Sequence, residues 1–196
     1  RWLGREGGEP GILLHGKTAA ILGYGAIGRH VGTVLRAMGM RVLGIRRSEA
    51  QMPDEYTVAR MDEALRQAHI LVVAAPGSTE TQGMIGAREL SLLQEPRLVV
   101  NVGRGSVIQE EALYEACRTG TLAGAGLDVW YRYPRGEGPH YPSQFPFHEL
   151  DNVVMSPHWG GNERNTEPAR LEAVAELLER LLAHDPPEPV DPYAGY

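Results

Sequence analysis

The chain has 196 residues, enough for one domain with a substantial core, and 42% of them are hydrophobic, which is typical of a globular protein. A net charge of −6 without any block of basic residues argues against a nucleic-acid partner, and no apolar run is long enough to span a membrane. The single cysteine, Cys117, excludes an internal disulfide and is typical of the reducing cytoplasm, where we expect the protein to be found.

Short apolar runs alternate with helix-like segments along the chain. Six runs are predicted strands, over residues 18–22, 41–45, 70–75, 97–102, 123–129 and 152–155. The predicted helices cover residues 26–38, 61–68, 88–93, 110–118 and 166–183. This alternation predicts an α/β fold, a Rossmann-like doubly wound parallel sheet in three layers. We assign residues 1–184 to one dinucleotide-binding domain and residues 185–196 to a proline-rich C-terminal tail.

A glycine-rich turn joins the first strand to the first helix. Gly23, Gly25 and Gly28 form a G-x-G-x-x-G motif in the strand–turn–helix context of dinucleotide-binding domains. Gly23 allows the tight turn, Gly25 lets a pyrophosphate approach the backbone, and Gly28 lets the helix lie close to the strand. The amino end of the helix then offers unpaired N–H groups to the phosphates.

Apolar residues recur at helical spacing on the first helix. Ile27, Val31, Val34 and Leu35 form a stripe that we expect to pack against the sheet. The next apolar run, residues 41–45, completes a βαβ unit whose crossover should be right-handed.

The residues after the second run bear on the choice of cofactor. An acidic residue there binds the ribose 2′-hydroxyl of NAD, whereas an arginine accommodates the 2′-phosphate of NADP. This chain has Arg46, Arg47 and Ser48 and no acid, so the position predicts NADP, with NAD as the other cofactor to consider. The alternative is that the two arginines are an ordinary solvated pair on the surface.

The ends of the predicted strands carry the residues with functional chemistry. The residues at or just after these ends are Gly23, Arg46, Pro76, Arg104, Asp128 and His158. In a doubly wound sheet the carboxyl ends of the strands meet at one edge, and ligands bind in the crevice there. These six residues are therefore expected to lie together.

Arg104 and His158 could perform the chemistry of a carbonyl reduction beside a nicotinamide. Arg104 could bind a substrate carboxylate and its carbonyl oxygen bidentately. His158 could donate a proton to the carbonyl oxygen and take it back in the reverse direction. The other six histidines lack such a placement. Taken alone, Arg104 could instead cap a helix or pair with an acid, and His158 could be structural.

Five stretches of the sequence, in this order, resemble the D-isomer-specific 2-hydroxyacid dehydrogenase family. They are residues 14–18, 23–28, 101–105, 126–130 and 157–161, which read LHGKT, GYGAIG, NVGRG, GLDVW and PHWGG. The resemblance covers essentially the whole chain and corresponds to the cofactor-binding domain of that family.

The resemblance implies roles for individual residues. Arg104 would bind and orient the substrate, and His158 would be the acid/base. Asp128 would contact the nicotinamide carboxamide, and Thr81 and the glycine loop would hold the pyrophosphate. The predicted cofactor contacts are Gly23, Tyr24, Gly25, Ala26, Ile27, Gly28, Arg46, Arg47, Ser48, Ala75, Pro76, Thr81, Val102, Gly103, Arg104, Asp128, His158 and Gly160. Relatives form homodimers largely through this domain, so we expect a homodimer, and we predict no metal site.

Two features depart from the family pattern. The family's catalytic carboxylate usually lies five residues after the Asp of the LDV stretch, where this chain has Tyr133. Tyr133 could orient His158 but brings no negative charge, and the spacing of Glu149 and Asp151 supports neither as a substitute. Relatives also have roughly a hundred N-terminal residues that build a second domain, so we expect this chain to be a fragment with low turnover of its own.

Three functions fit these observations. The leading interpretation is an NADP-dependent 2-hydroxyacid dehydrogenase acting on a small carboxylate substrate, represented here by its cofactor-binding domain. The second is a nucleotide-sensing module without turnover, as in the family's transcriptional corepressors, although a sensor would need neither Arg104 nor His158. The third keeps the enzyme and changes the substrate to formate or a phosphonate-like anion.

Overall fold

The computed structural model describes residues 11–134, 136, 140–164 and 166–185. The strands are β1 (Thr18–Leu22), β2 (Arg41–Arg46), β3 (Glu55–Thr57), β4 (Ile70–Val73), β5 (Leu98–Asn101), β6 (Gly124–Leu127) and β7 (Val153–Met155). The α-helices are α1 (Ala26–Ala37), α2 (Met61–Leu65), α3 (Ala87–Leu92), α4 (Glu110–Arg118) and α5 (Thr166–Leu182). All seven strands belong to one parallel sheet in the order β3-β2-β1-β4-β5-β6-β7.

The strand order reverses beside β1. β1 pairs with β2 on one side and with β4 on the other, so that Leu22 lies opposite both Ile45 and Val73. From β1 the chain runs outward through β2 to β3, and then returns to β4 and continues to β7. The predicted doubly wound parallel sheet is therefore confirmed. Such a reversal opens a crevice at the carboxyl ends of the strands, here those of β1 and β4.

The central strands are buried on both faces. Along β1, Ala20 and Leu22 belong to one apolar cluster and Ala19 and Ile21 to another, and all four side chains are at most 2% exposed. Successive side chains of a strand point to opposite faces, so the two clusters are the cores above and below the sheet. This explains why β1 reads as a continuous apolar run rather than as an alternating one.

Helix α1 meets the sheet through glycines rather than through the whole predicted stripe. Val31 and Leu35 pack against the core, but Ile27 is 63% exposed and Val34 is 58% exposed, so half of the expected stripe was wrong. The buried residues of α1 are Gly28 and Gly32. A Cβ at Gly28 would overlap the carbonyl oxygen of Gly23, so the close approach of helix and strand turns the larger side chains aside.

The sheet has one strand more than the sequence predicts. β3 has only three residues and pairs with β2 at the edge of the sheet, with Glu55 opposite Gly44. The strand was missed because three residues that include a charged glutamate give no apolar run. The sheet nevertheless buries Glu55 and Tyr56, which are 5% and 9% exposed.

Helix α5 differs from the other helices. None of its described residues is buried, and several of its leucines are more than half exposed. Within the described parts of the chain, no helix combines the length and the apolar character needed to cross a membrane. The predicted tail after Asp185 lies outside the described residues, so the domain boundary there stays a prediction.

Candidate functional site

The glycine loop after β1 has a conformation that side chains would prevent. Gly23 has a φ of +91°, and a Cβ on it would overlap the backbone of Ala75 at the end of β4. By contrast, a Cβ at Gly25 would meet no atom within 4 Å. Gly25 therefore borders open space, while Gly23 and Gly28 are required for packing. The assignment of Gly25 to the phosphate-facing position agrees with this geometry.

The amino end of α1 faces this open space without a side-chain cap. Gly25 is the N-cap residue, and no side chain of the described residues accepts a hydrogen bond from the first turn of the helix. The N–H groups of the first turn have no partner inside a helix, and the helix dipole places partial positive charge at the same end. This combination suits the pyrophosphate of a dinucleotide.

Tyr24 lies on the crevice wall, but its side chain packs elsewhere. The ring is 5% exposed and fills the space left by Gly32 and Gly44, where an added Cβ would crowd or overlap it. Its hydroxyl accepts a hydrogen bond of 2.8 Å from Nη2 of Arg36. Tyr24 therefore joins α1 to β2, and its ring is buried away from the crevice.

A crevice of about 1020 Å³ opens at the carboxyl ends of β1, β2, β4 and β5. Most of the predicted cofactor contacts line it, namely Gly23, Tyr24, Gly25, Ala26, Ile27, Arg46, Arg47, Ser48, Ala75, Pro76, Thr81, Val102, Gly103 and Arg104. The volume is at the upper end of the range for small-molecule and cofactor sites. A mostly apolar crevice of this size with an uncapped helix end fits a dinucleotide.

The rim of the crevice beyond β2 carries the residues predicted to choose the cofactor. Nε of Arg46 donates a hydrogen bond of 2.8 Å to Oγ of Ser48, and Nη1 lies 3.3 Å from a carboxylate oxygen of Glu55. Arg47 lies 3.9 Å from Glu80 across the crevice. The two arginines are thus not equivalent, because Arg46 is held by a buried acid and Arg47 faces an exposed one.

Arg104 follows β5 on a loop that is held by a buried asparagine. Nδ2 of Asn101 donates to the carbonyl oxygen of Arg104, and Oδ1 accepts from the N–H of Gly103, at 3.0 and 3.1 Å. Nη1 of Arg104 donates to the carbonyl oxygen of Gly103 at 2.8 Å, and the side chain is exposed at the crevice. The loop backbone is therefore fixed while the guanidinium remains accessible.

Thr81 lies in a tight turn on the same side of the crevice. Its Oγ1 donates to the carbonyl oxygen of Pro76 at 2.7 Å and accepts from the N–H of Ser78 at 2.9 Å. The hydroxyl already has a donor and an acceptor within the turn. Thr81 can therefore shape the crevice wall, but it must give up its bond to Pro76 before it can donate to a phosphate.

His158, Gly160, Asp128 and Gly28 do not line this crevice. Gly28 lies beneath it, in the contact between α1 and β1. His158 borders a separate hollow of about 300 Å³ that also includes Asn162 and Arg170. The structure therefore divides the predicted site into a crevice group and a second group, which lies around the loop after β7.

Asp128 organises the second group. One carboxylate oxygen accepts hydrogen bonds from Oγ of Ser156 and the N–H of Trp159, and the other accepts from the N–H of Gly160, at 2.6 to 2.9 Å. Burial raises the pKa of Asp128, but these hydrogen bonds and the charge of His158 lower it by more, so the pKa lies below its ordinary value. The carboxylate therefore holds the His158 loop, and its contact with the nicotinamide carboxamide, which the resemblance implies, stays a prediction.

His158 itself adopts a left-handed backbone conformation with a φ of +61°. Its imidazole is exposed and lies beside the ring of Tyr133, with ring centroids 5.6 Å apart. The hydroxyl of Tyr133 accepts a hydrogen bond of 3.2 Å from the N–H of Trp130. Tyr133 thus contacts His158 through its ring, while its hydroxyl is anchored to the backbone.

The two groups are joined through Trp130. A Cβ at Gly105, next to Arg104, would overlap the carbonyl group of Trp130, so the two backbones touch. The indole N–H of Trp130 donates to the carbonyl oxygen of Ser156 at 2.8 Å. The loop that carries Arg104 is therefore connected to the loop that carries His158 through one buried tryptophan.

Two residues that support the site were missed in the sequence. Asn101 shows only as the polar residue that ends an apolar run, and this signal could have suggested a loop anchor. Glu55 lies nine residues after Arg46 and gives no local signal, because its contact with Arg46 exists only once β3 pairs with β2. Among the described residues, no cluster of three or more His, Cys, Asp or Glu side chains could hold a metal.

Comparison with known proteins assigns this arrangement to a family. Residues 1–160 match the model of the D-isomer specific 2-hydroxyacid dehydrogenase NAD-binding domain. The chain belongs to the D-isomer-specific 2-hydroxyacid dehydrogenase family. A glyoxylate reductase from Thermococcus gammatolerans is 38% identical over 172 residues, which are 86% of this chain and 48% of that protein. This chain therefore spans about half the length of the glyoxylate reductases that it matches.

Solved structures of family members have the same fold. An NADPH-dependent glyoxylate/hydroxypyruvate reductase from Sinorhizobium meliloti, in complex with NADP and sulfate, matches with a TM-score of 0.78 and 28% identity, over 96% of this chain and 59% of that one. A D-isomer specific 2-hydroxyacid dehydrogenase from Xanthobacter autotrophicus, in complex with NADPH and MES, matches with a TM-score of 0.75 and 29% identity, over 92% and 73%. The resemblance inferred from the motifs is confirmed.

Proposed function

We propose that the chain is the nucleotide-holding part of an NADP(H)-dependent oxidoreductase that interconverts small 2-oxo and 2-hydroxy acids. The observation that carries the proposal is the crevice, which is lined by Gly25 with open space beside it and by Arg46, Arg47 and Ser48. When bound, the nicotinamide supplies the hydride. The Sinorhizobium and Xanthobacter structures, both solved with an NADP cofactor, support the choice of NADP over NAD.

In this proposal Arg104 and His158 act on the substrate. Arg104 is exposed at the crevice and always charged, so it can bind the carboxylate of a 2-oxo acid. His158 would donate a proton to the carbonyl oxygen as reduction proceeds and remove it in the reverse direction. Tyr133 would orient the imidazole through its ring contact. The name of the Thermococcus relative points to glyoxylate as the first substrate to test.

Nucleotide titration tests the cofactor assignment. We expect NADPH to bind the chain about tenfold or more tightly than NADH, because charge-assisted hydrogen bonds from Arg46 and Ser48 act only on the 2′-phosphate. The variant Arg46→Ala should lose this difference. Arg118→Ala is the control, since it removes an arginine that forms an ion pair with Glu115 on α4, away from the crevice. A preference for NADH in the parent chain would overturn the assignment to NADP, and absence of binding would overturn the dinucleotide site.

Substrate turnover separates an enzyme from a nucleotide sensor, and it is measured in a longer protein that also contains the second domain of the relatives, because we expect low turnover from this part alone. We expect glyoxylate-dependent oxidation of NADPH, with the KM for glyoxylate raised in Arg104→Lys because lysine cannot form a bidentate contact. His158→Gln should lower kcat by about 10²-fold or more, because a general acid–base contributes that much. Tight NADPH binding without turnover of any small 2-oxo acid would favour the sensor.

We further propose that a second copy of the chain covers α5. Leu171, Val174, Leu178 and Leu181 follow one another at intervals of three and four residues and are 51% to 69% exposed. Such a stripe on one face of a helix is typical of a helix-packing surface. Light scattering should give a dimer for the parent chain and a monomer for Leu178→Glu. A monomeric parent would contradict this proposal.

A further inference from the structure

Glu55 is a buried carboxylate directly behind the rim of the crevice. It is the first residue of β3, and its side chain is 3% exposed. It does not line the crevice, so it cannot be a direct ligand of a bound nucleotide in this conformation. Carboxylates are almost never this buried unless they are paired, so the partners of Glu55 define its role.

The two oxygens of Glu55 face different partners. Oε2 accepts hydrogen bonds from Nη1 of Arg46 at 3.3 Å and from the N–H of Gln51 at 2.9 Å. Oε1 lies 3.2 Å from Nη1 of Arg29 on α1 and accepts no hydrogen bond from any described residue. The carboxylate therefore holds Arg46 and the segment after β2 by directed bonds, and it faces Arg29 only as a charge.

The carboxyl group stays ionised despite its burial. Burial by itself raises the pKa of Glu55, but the Gln51 N–H and the two guanidinium groups lower it by more, so the net shift is downward. Glu55 is consequently negative at neutral pH, and its contact with Arg46 is a charge-assisted hydrogen bond.

Arg46 is fixed from two sides. Nη1 is held by Glu55 behind it, and Nε donates to Oγ of Ser48 beside it. No described residue accepts a hydrogen bond from Nη2 of Arg46, so this group keeps its donors for an incoming ligand. Because Ser48 accepts from Nε, its own hydroxyl hydrogen can also be donated outward. Nη2 of Arg46 and the hydroxyl of Ser48 are thus held next to each other at the rim of the crevice as hydrogen-bond donors.

We propose that Glu55 is a positioning residue for cofactor selectivity, which holds the guanidinium of Arg46 ready for the 2′-phosphate of NADP(H). This inference rests on the proposed function, because it requires the crevice to bind the phosphorylated nucleotide. Because these donors are already held in place, their side chains lose less entropy when the phosphate binds. The resulting gain in affinity applies to NADPH and not to NADH. The role is distinct from charge neutralisation, in which Glu55 would weaken phosphate binding.

Three substitutions of Glu55 separate positioning from charge. Glu55→Asp keeps the charge but is one methylene too short to hold both Gln51 and Arg46, so the ratio of the NADH and NADPH dissociation constants should fall about fivefold to tenfold. Glu55→Gln removes the charge but leaves an oxygen at the position of Oε2, so the ratio should stay near the parental value. Glu55→Ala removes both the charge and the acceptor oxygen, and the ratio should fall as in Glu55→Asp.

Charge neutralisation predicts the opposite pattern. It leaves the ratio unchanged in Glu55→Asp and raises it in both Glu55→Gln and Glu55→Ala, since a negative charge beside the phosphate is removed. That pattern would overturn the proposal. If Glu55→Asp fails to fold, the contrast between the alanine and glutamine variants still decides, because both lack the charge and only glutamine keeps the acceptor.

A double-mutant cycle with Arg46 shows whether Glu55 acts through that residue. In the Arg46→Ala background, Glu55→Ala should leave the ratio of dissociation constants unchanged, because there is no guanidinium to position. An equal fall in both backgrounds would overturn the proposal.

The matched control is Glu89→Ala. Glu89 is also buried, accepts the N–H of Gly86 at 2.8 Å and pairs with Arg88, but it lies on α3 and outside the crevice. This variant should lose stability and keep the parental ratio, and a loss of selectivity there would show that the ratio reports stability rather than positioning.

A parent chain without NADPH preference would overturn both this inference and the NADP assignment. A parent that prefers NADPH, with Glu55 variants at the parental ratio, would overturn the inference alone.

Discussion

The glycine loop after β1 and the His158 loop after β7 are fixed in different ways. The glycine loop is held by contacts between backbones, so that a Cβ at Gly23 or Gly28 would overlap a neighbouring strand or turn. The His158 loop is held by side-chain hydrogen bonds to one carboxylate, Asp128. Close packing tolerates no added atom, whereas hydrogen bonds can be removed singly and can be titrated. The two halves of the site should therefore respond to mutation and to pH in different ways.

The largest effect is expected at Gly23. In Gly23→Ala the new methyl group overlaps the backbone of Ala75 and the residue must keep a φ of +91°, so the free energy of unfolding should fall by about 3 kcal/mol or more. Gly25→Ala is the matched control, because a Cβ there meets no atom and stability should change by about 1 kcal/mol at most. Urea unfolding followed by circular dichroism measures both.

Gly25→Ala should instead lower NADPH affinity about tenfold, because the methyl group occupies the approach of the pyrophosphate. Nucleotide titration of the folded variant checks this. If Gly23→Ala were as stable as Gly25→Ala, the glycine loop would not be held by close packing, and the contrast between the two loops would be lost.

A smaller effect with a distinct pH dependence is expected at Asp128. Asp128→Asn turns an amide N–H₂ toward one of the three donors, so the free energy of unfolding at pH 7 should fall by about 1–3 kcal/mol. Because the folded pKa of Asp128 is lowered, its ionisation stabilises the fold above the ordinary value of 3.8, and this contribution is lost as the pH falls through the folded pKa. The difference in the free energy of unfolding between parent and variant should be largest at pH 7 and should shrink below pH 3.8.

Urea unfolding at a series of pH values measures this difference. A gap between parent and Asp128→Asn that stays constant down to the acid limit would mean that the variant loses packing rather than a charged acceptor. The description of the His158 loop as held by a titratable group would then be wrong.

The smallest effect is expected at Ser156. Ser156→Ala removes one of the three hydrogen bonds to Asp128, but it keeps the backbone carbonyl oxygen that accepts the indole N–H of Trp130. The free energy of unfolding should therefore fall by about 1 kcal/mol. In the Asp128→Asn background the same substitution should cost less, because the two residues share one network. Equal costs in both backgrounds would show that Ser156 contributes independently of the carboxylate.

The crevice could be predicted because its position follows from strand order. Gly23, Arg46, Pro76 and Arg104 come directly at the ends of apolar runs, and parallel pairing brings those ends to one edge. His158 and Asp128 were also placed at this edge, but their contacts were not predicted, since the carboxylate binds the loop around His158. Hydrogen-bond partners depend on side-chain directions that strand order does not specify.

The failures share a physical cause. Ile27 and Val34 have the right spacing for a core stripe, but α1 approaches the sheet through Gly28 and Gly32 and leaves these side chains exposed. Glu55 gives no signal in the sequence, yet the pairing of β3 with β2 buries it beside Arg46. In each case local periodicity or polarity was overridden by the distance between two packed elements.

The sequence by itself determined the α/β fold, the nucleotide crevice and the family, because the alternation of apolar runs with helical segments and the glycine-rich turn are local properties of the chain. Only the tertiary structure decided that Tyr24 turns its ring away from the crevice, that Asp128 holds the His158 loop, and that Arg46 is backed by Glu55. These three facts arise between residues far apart along the chain, and they are set when the sheet and helices pack against one another.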